Sequence, residues 1–169
     1  MPDFPRLLCY VDNLQVLRDH VGDESVDLVY LDPPFDSKRL YNVSFGGEAP
    51  TAAFDDTWKL TEETAVDLLA SVTEKGPPDM PGLLHERRKI AGDGMGAYLV
   101  MMSARLLELR RVLKPTGSVY LHCDPAASHY LKAVMDAVFG RDGFRNESYG
   151  SAPPPAATRR DGGRPRHDP

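Results

Sequence analysis

The feature that most constrains this chain is a short strand-like segment that runs directly into two prolines. Val26 to Leu31 is rich in β-branched, aliphatic and aromatic residues, which suits a buried β-strand. Asp32-Pro33-Pro34-Phe35 follows at once, and proline has no backbone N–H to donate to a neighbouring strand. The strand must therefore end at Leu31, and the chain turns at the strand's carboxyl end.

Helical and strand patterns alternate in the second half of the chain. A helix from Tyr98 is predicted by an apolar stripe at helical spacing, formed by Leu99, Met102, Leu106, Leu109 and Leu113. Ser118 to Cys123 predicts a second buried strand, and a further helix is expected between Asp124 and Gly140. Alternation of this kind indicates an α/β fold with a mostly parallel, Rossmann-like sheet and helices on both faces. We expect the arginines between Arg105 and Arg111 to form a solvated helix face.

The remaining segments have weaker patterns. We expect a strand at Leu7 to Val11, and a helix from Leu14 to about His20 that Asp12 and Asn13 cap. Residues 36–96 are expected to form an insertion or loop region with one helix from Thr61 to Thr73. Residues 148–169 are rich in Pro, Arg and Gly, and we expect them to be disordered.

Composition restricts the classes of protein that the chain can belong to. No apolar run is long enough to span a bilayer, and two cysteines cannot build a disulfide framework or a complete Cys/His zinc site. We therefore expect a cytoplasmic protein with no metal site. The net charge of −5 argues mildly against a nucleic-acid partner, although basic residues cluster near Arg87 and Arg110.

The Asp32 turn suits one kind of chemistry. The exocyclic amine of adenine or cytosine is a poor nucleophile, because its lone pair is delocalised into the ring. A carboxylate from Asp32 and a backbone carbonyl from Pro33 could accept its two N–H groups and favour a pyramidal, attacking nitrogen. Pro34 would make the turn rigid, and Phe35 could stack on a base that has left its helix. Four residues alone are a weak signal, since the same sequence also suits an ordinary turn at the end of a strand.

Longer blocks along the chain support a family resemblance. They are Tyr10-Val-Asp-Asn-Leu-Gln-Val-Leu17, Asp27-Leu-Val-Tyr-Leu-Asp-Pro-Pro-Phe35, Tyr41-Asn42, Phe54-Asp-Asp-Thr-Trp58, Tyr98-Leu99, Arg105-Leu-Leu-Glu-Leu-Arg-Arg-Val-Leu-Lys-Pro-Thr-Gly117, Leu121-His-Cys-Asp-Pro125, Ser128-His-Tyr-Leu-Lys132 and Phe144-Arg-Asn-Glu147. In this order they resemble the beta-class, adenine-specific DNA methyltransferases, which include type III restriction-modification methylation subunits. The resemblance covers residues 7–147, which we take as a partial catalytic domain within residues 1–147.

The resemblance implies a class I methyltransferase sheet and methyl transfer from S-adenosylmethionine to a flipped adenine N6 in DNA. It implies catalytic roles for Asp32, Pro33, Pro34 and Phe35, and places Asp12, Asn13 and Asp32 near the donor. It also places His122 and Asp124 at the target-base pocket and makes a restriction subunit a partner. From the residues alone, Asp12 and Asn13 are equally well explained as a helix cap, and structural roles are favoured for the His122-Asp124 group.

The resemblance is incomplete at its carboxyl-terminal side. In that family a glycine-rich donor loop comes late in the chain, and no segment here has its pattern; Gly92 to Gly96 more readily leads into the Tyr98 helix. A Trp-Lys-Arg-Thr run that follows the Arg-Asn-Glu block in the family is also missing, which suggests a frameshift near Glu147. We therefore expect a truncated, impaired enzyme. The alternatives are an inactive remnant without turnover or, less favoured, a protein or RNA N-methyltransferase.

Overall fold

The computed structural model describes residues 8–34, 40–43, 51–55 and 62–150. In chain order the elements are α1 (Asn13–His20), β1 (Val26–Leu31), β2 (Leu40–Val43), β3 (Thr51–Asp55), α2 (Glu62–Lys75), α3 (Met80–Ala91), α4 (Asp93–Val112), β4 (Leu113–Leu121) and α5 (Pro125–Phe139). A single 3-10 turn, Arg141–Gly143, follows α5. Phe35 and residues 151–169 lie outside the described residues, so the predictions for them stay predictions.

The sheet that matters for the site is a parallel pair of strands. β1 pairs with β4 from Val26 opposite Leu113 to Leu31 opposite Leu121. β2 and β3 form a separate antiparallel pair. The expected α/β fold with a parallel sheet is confirmed. Because parallel strands end at the same edge of a sheet, the residues after Leu31 and after Leu121 become neighbours.

The limits of β4 differ from the prediction. The strand begins at Leu113 rather than Ser118 and ends at Leu121 rather than Cys123. Its register against β1 shifts between Val26 and Leu28, whose partners are Leu113 and Ser118. The intervening Lys114-Pro-Thr-Gly117 segment ends α4, as predicted, but it is an irregular part of the strand rather than a turn before it.

The long helix α4 forms the centre of the hydrophobic core. Its predicted apolar stripe is buried, and the stripe's last member, Leu113, is the first residue of β4. α1, α2, α3 and α5 all contact α4. The other helices and β1 contribute the buried side chains of Leu14, Val29, Leu68, Val72, Met80, Leu84, Ala127, Leu131 and Val134. Residues 93–96 belong to α4, which agrees with the prediction that this glycine-rich stretch leads into the helix.

The segment at Leu7–Val11 and the helix α3 both differ from the prediction. The strand expected at Leu7–Val11 is wrong for the described residues, since Leu8 and Tyr10 are almost fully exposed and have no strand structure. An apolar run becomes a strand only when a partner takes up its backbone hydrogen bonds, and neither β1 nor β4 pairs with it. The helix α3 was not predicted, whereas α2 and α5 were.

One face of the β1–β4 pair is open. Leu28, Tyr30 and Tyr120 point to this face and are 59%, 70% and 58% exposed. The Tyr30 and Tyr120 rings stack with centroids 6.3 Å apart. Val29, on the other face, is buried against the helices. Among the described residues, no helix covers the tyrosine face, where a helix was expected from the sequence.

No helix in the part of the chain that the structure describes combines the length and apolar character needed to cross a membrane.

A buried carboxylate in α4 links three helices. Glu108 is 3% exposed and accepts hydrogen bonds from Lys75 Nζ and Arg111 Nε, both at 2.7 Å. Arg111 also donates to the carbonyls of Leu17 and Val21 at the end of α1, at 2.6 and 3.1 Å. Burial alone would raise the pKa of Glu108, but the hydrogen bonds from Lys75 and Arg111 outweigh it and hold that pKa below its usual value.

Because the folded-state pKa of Glu108 is lowered, its contribution to stability is present above the unfolded-state pKa. That contribution is lost as the pH falls through the lowered value. We expect Glu108→Gln to reduce the free energy of unfolding by about 1–2 kcal/mol at pH 7. The difference from the wild type should shrink as the pH falls below about 4.5. Urea denaturation followed by circular dichroism at several pH values measures it.

The matched control is Glu74→Gln, which changes an exposed glutamate on α2. We expect this variant to unfold at the wild-type urea concentration throughout the pH series. A Glu108→Gln deficit that stayed constant down to pH 3 would contradict the proposed role of the carboxylate charge.

Candidate active site

The Asp32 turn lies at an open cleft beyond the carboxyl end of β1. The cleft has a volume of about 380 Å³ and is lined by Asp12, Asn13, Tyr30, Leu31, Asp32, Pro33, Pro34, Met101, Met102 and Arg105. The Asp32 side chain is 64% exposed, so its carboxylate is open to an incoming molecule. Pro33 is half-buried and Pro34 exposed. The predicted catalytic residues that are described therefore share one edge of the cleft, and Phe35 lies outside the described residues.

Asp12 and Asn13 border the same cleft from the start of α1. Asp12 is the N-cap of this helix, and its Oδ1 accepts a hydrogen bond from the Leu14 backbone N–H at 2.8 Å. The expected cap at Asp12 is therefore present. Because both residues also line the cleft, the cap does not exclude the second interpretation, a role near the methyl donor.

A buried arginine beneath the cleft holds these two residues. Arg105 is 8% exposed. Its Nη2 donates to both carboxylate oxygens of Asp12 at 2.9 Å, and its Nε donates to Asn13 Oδ1 at 2.9 Å. Its Nη1 donates to the Met101 carbonyl at 3.2 Å. Burial lowers the pKa of the guanidinium, and the Asp12 carboxylate offsets part of that shift. The fork-shaped guanidinium thus fixes the geometry of the α1 side of the cleft.

The prediction that Arg105 belongs to a solvated face is wrong. Arg105 lies three residues after Met102 and four before Leu109, so helical spacing places it on the buried stripe. The charge of Arg105 led to the prediction of an exposed side chain, because buried arginines are rare unless they are paired. The signal in the sequence was the pair Asp12-Asn13, whose acceptors could satisfy a buried guanidinium.

The two residues expected at the target-base pocket have different contacts. His122 Nδ1 is 3.0 Å from Asp32 Oδ1, and the His122 backbone N–H donates to the Leu31 carbonyl at 2.9 Å. Asp124 instead caps α5 and accepts hydrogen bonds from the N–H groups of Ala126 and Ala127 at 2.8 and 3.0 Å. Neither residue lines the cleft. The structure therefore brings His122 to the Asp32 turn, whereas Asp124 caps α5.

Several polar side chains that line the cleft offer hydrogen-bond acceptors. Asp12 and Asp32 provide carboxylate oxygens, and Asn13 provides an amide oxygen that Arg105 already contacts. Such acceptors suit amines, hydroxyl groups and cationic ligands. Within residues 8–34, 40–43, 51–55 and 62–150, no three His, Cys, Asp or Glu side chains are grouped as a metal site would need.

A comparison with protein families shows which family this chain belongs to. The family model described as DNA methylase matches residues 26–168, which include the Asp32 turn and the β4 strand. The chain belongs to the DNA methylase family. Asp32, Pro33 and Pro34, which line the cleft, lie within the matched residues.

Curated relatives of this chain include Mod subunits of type III restriction-modification enzymes and a type II methyltransferase. The chain is 30% identical to the type III restriction-modification enzyme StyLTI Mod subunit of Salmonella typhimurium, over 79% of this chain and 18% of that protein. It is 27% identical to the type II methyltransferase M.EcaI of Enterobacter cloacae, over 84% of this chain and 23% of that protein. It is also 27% identical to the type III restriction-modification enzyme EcoPI Mod subunit of Escherichia phage P1, over 82% of this chain and 19% of that protein.

The methylase chain thus spans about a fifth of the length of these relatives. No solved structure gives a significant match. The resemblance to methylation subunits of restriction-modification systems is confirmed by the relatives, whereas the roles predicted for single residues stay predictions.

We expect Arg105→Met to lower the free energy of unfolding by about 2 kcal/mol, because it removes charge-assisted hydrogen bonds to Asp12 and Asn13 from a buried position. Arg105→Lys should recover only part of this loss, since an ammonium cannot replace a planar, forked donor. Urea denaturation of purified variants measures both effects.

Arg110→Met is the matched control, because Arg110 is exposed on the same helix. Its stability should stay within about 0.5 kcal/mol of the wild type. Equal stabilities for the Arg105 and Arg110 variants would contradict the structural role assigned to Arg105.

Proposed function

We propose that this chain carries the amine-orienting part of a DNA methyltransferase that methylates the N6 amine of adenine, with S-adenosylmethionine as donor. The observation that carries the proposal is the Asp32 carboxylate, which is exposed at the mouth of the cleft directly after β1. Membership of the DNA methylase family supports the reaction class. The preference for adenine rests on the resemblance to adenine-specific enzymes and on Asp32, the first residue of the Asp-Pro-Pro-Phe motif. Asp at this position resembles the adenine N6 enzymes more than the cytosine N4 enzymes, in which Ser is found.

The proposed mechanism depends on two hydrogen bonds that the reacting amine donates to one turn. The Asp32 carboxylate accepts one N–H of the exocyclic amine, and the Pro33 carbonyl accepts the other. Together they draw the amine out of the ring plane and aim its lone pair along the line of attack. Pro34 limits the freedom of the turn, because its ring fixes the backbone φ angle. Phe35 is proposed to stack on the extruded base.

The donor is proposed to bind beside this turn. S-adenosylmethionine, when bound, supplies an electrophilic methyl group on a positively charged sulfur. The residues present fit such a ligand, because the exposed Asp32 carboxylate puts negative charge at the cleft, and Asp12 and Asn13 border the cleft from the start of α1. We propose that Asp12 and Asn13 contact the donor, while Arg105 holds them in place from below.

The names of the relatives support the proposed partners. Two of the three relatives described above are named as Mod subunits of type III restriction-modification enzymes. We propose that the methylase acts on DNA and that a restriction subunit is its protein partner. Because the chain spans about a fifth of those relatives, the proposed partner and the recognition of a DNA site belong to the whole protein rather than to residues described here.

The test is transfer of tritiated methyl groups from S-adenosylmethionine to long, unmethylated DNA, followed by digestion and separation of nucleosides. We expect label in N6-methyladenine, and a fall of about 100-fold or more for Asp32→Ala and Asp32→Asn, because either change removes the charged acceptor. Asp19→Ala is the matched control; Asp19 is exposed on α1 and does not line the cleft.

Each other outcome contradicts a defined part of the proposal. Label in N4-methylcytosine would overturn the choice of base, and label in added protein or RNA would overturn the choice of substrate. A wild-type signal equal to that of Asp32→Ala would indicate a remnant without turnover.

A further inference from the structure

The contact between His122 and Asp32 joins the ends of two neighbouring strands. Leu31 pairs with Leu121, so the next residue of each strand lies side by side. The His122 backbone N–H donates to the Leu31 carbonyl at 2.9 Å and fixes the start of the side chain. The ring then reaches Asp32, with Nδ1 3.0 Å from Oδ1. Asp32 lines the cleft and His122 does not, so the histidine contacts the carboxylate from outside the proposed base site.

We propose that His122 is a positioning residue that holds the Asp32 carboxylate for the incoming amine. This inference rests on the proposed function of Asp32. An ionised carboxylate can only accept hydrogen bonds, so a favourable contact at this distance requires a hydrogen on Nδ1. His122 donates from Nδ1 to Oδ1, and the other oxygen, Oδ2, stays available to accept an N–H of the base.

The contact matters because Asp32 is otherwise exposed. Its side chain is 64% exposed, and an exposed carboxylate samples several orientations about its terminal bond. A donor on one oxygen restricts this rotation before the substrate arrives. Misplacement of a reacting group by about 1 Å can cost on the order of 100-fold in rate. Holding the carboxylate therefore acts on turnover more than on the affinity for donor or DNA.

The neighbouring acidic residue does not compete for the histidine. Asp124 is two residues further along the chain, but the Ala126 and Ala127 N–H groups donate to its carboxylate. His129 lies on α5 and is exposed. His122 therefore contacts the turn, and His129 serves as the control histidine in the experiments below.

The first experiment detects the contact without any need for activity. Nitrogen NMR of imidazole-labelled chain at pH 8 distinguishes a hydrogen on Nδ1 from one on Nε2. We expect the His122 signal of the wild type to show the Nδ1–H form. In Asp32→Ala, which has lost the acceptor, it should move toward the Nε2–H form. The His129 signal should be the same in both chains.

The second experiment measures kinetics. His122→Ala should lower kcat for methyl transfer by about 10-fold or more and leave the KM for the donor within about 2-fold. His122→Asn should restore most of kcat, because its amide nitrogen occupies nearly the position of Nδ1 and can donate to Oδ1. His129→Ala should behave as the wild type.

The outcomes separate the inference from the function on which it rests. An Nε2–H form in the wild type, or no change of tautomer in Asp32→Ala, would overturn the role of His122 whether or not the chain is active. Wild-type kcat in His122→Ala would overturn it as well. A chain that transfers no methyl group but shows the expected tautomer change would refute the proposed function and retain the contact between His122 and Asp32.

Discussion

Parallel pairing of β1 with β4 is the constraint on which the rest of the site depends. The pairing of Leu31 with Leu121 fixes which residues meet at the carboxyl edge of the sheet. The prolines at 33 and 34 end β1 at that edge, so Asp32 leaves the sheet there rather than within it. A slip of one residue in this register would turn the side chains of one strand to the opposite face and separate His122 from Asp32.

The helix α4 supports the other side of the cleft through two arginines. Arg105 binds the residues at the start of α1, and Arg111 binds the carbonyls at its end. A short helix of eight residues would be marginal by itself, and these contacts attach both of its ends to the core. The same helix thus contributes Met101 and Met102 to the cleft lining and holds Asp12 where a donor could contact it.

Local signals in the sequence were sufficient for part of this account. The end of β1, the apolar stripe of α4, and the Asp124 and Gly140 caps of α5 depend on neighbouring residues, so pattern and turn chemistry predicted them. The early start of β4 depends on its partner strand, and the burial of Arg105 depends on residues 92 and 93 positions away. Contacts between residues so far apart in the sequence do not change the local periodicity, so the pattern of neighbouring residues could not predict them. The family resemblance supplied the Asp32 role, and the structure adds His122 as its neighbour.

The central claim is that the Asp32 carboxylate accepts a hydrogen bond from the amino group of a base. The most direct measurement is carbon NMR of carboxyl-labelled aspartates during titration with short single-stranded DNA that contains one adenine. A matched strand carries purine, which lacks the amino group, at the same position. The account predicts that the Asp32 resonance shifts with adenine and shifts much less with purine, while Asp19 is unchanged. Equal shifts with both strands, or no shift of Asp32 at saturating DNA, would contradict it.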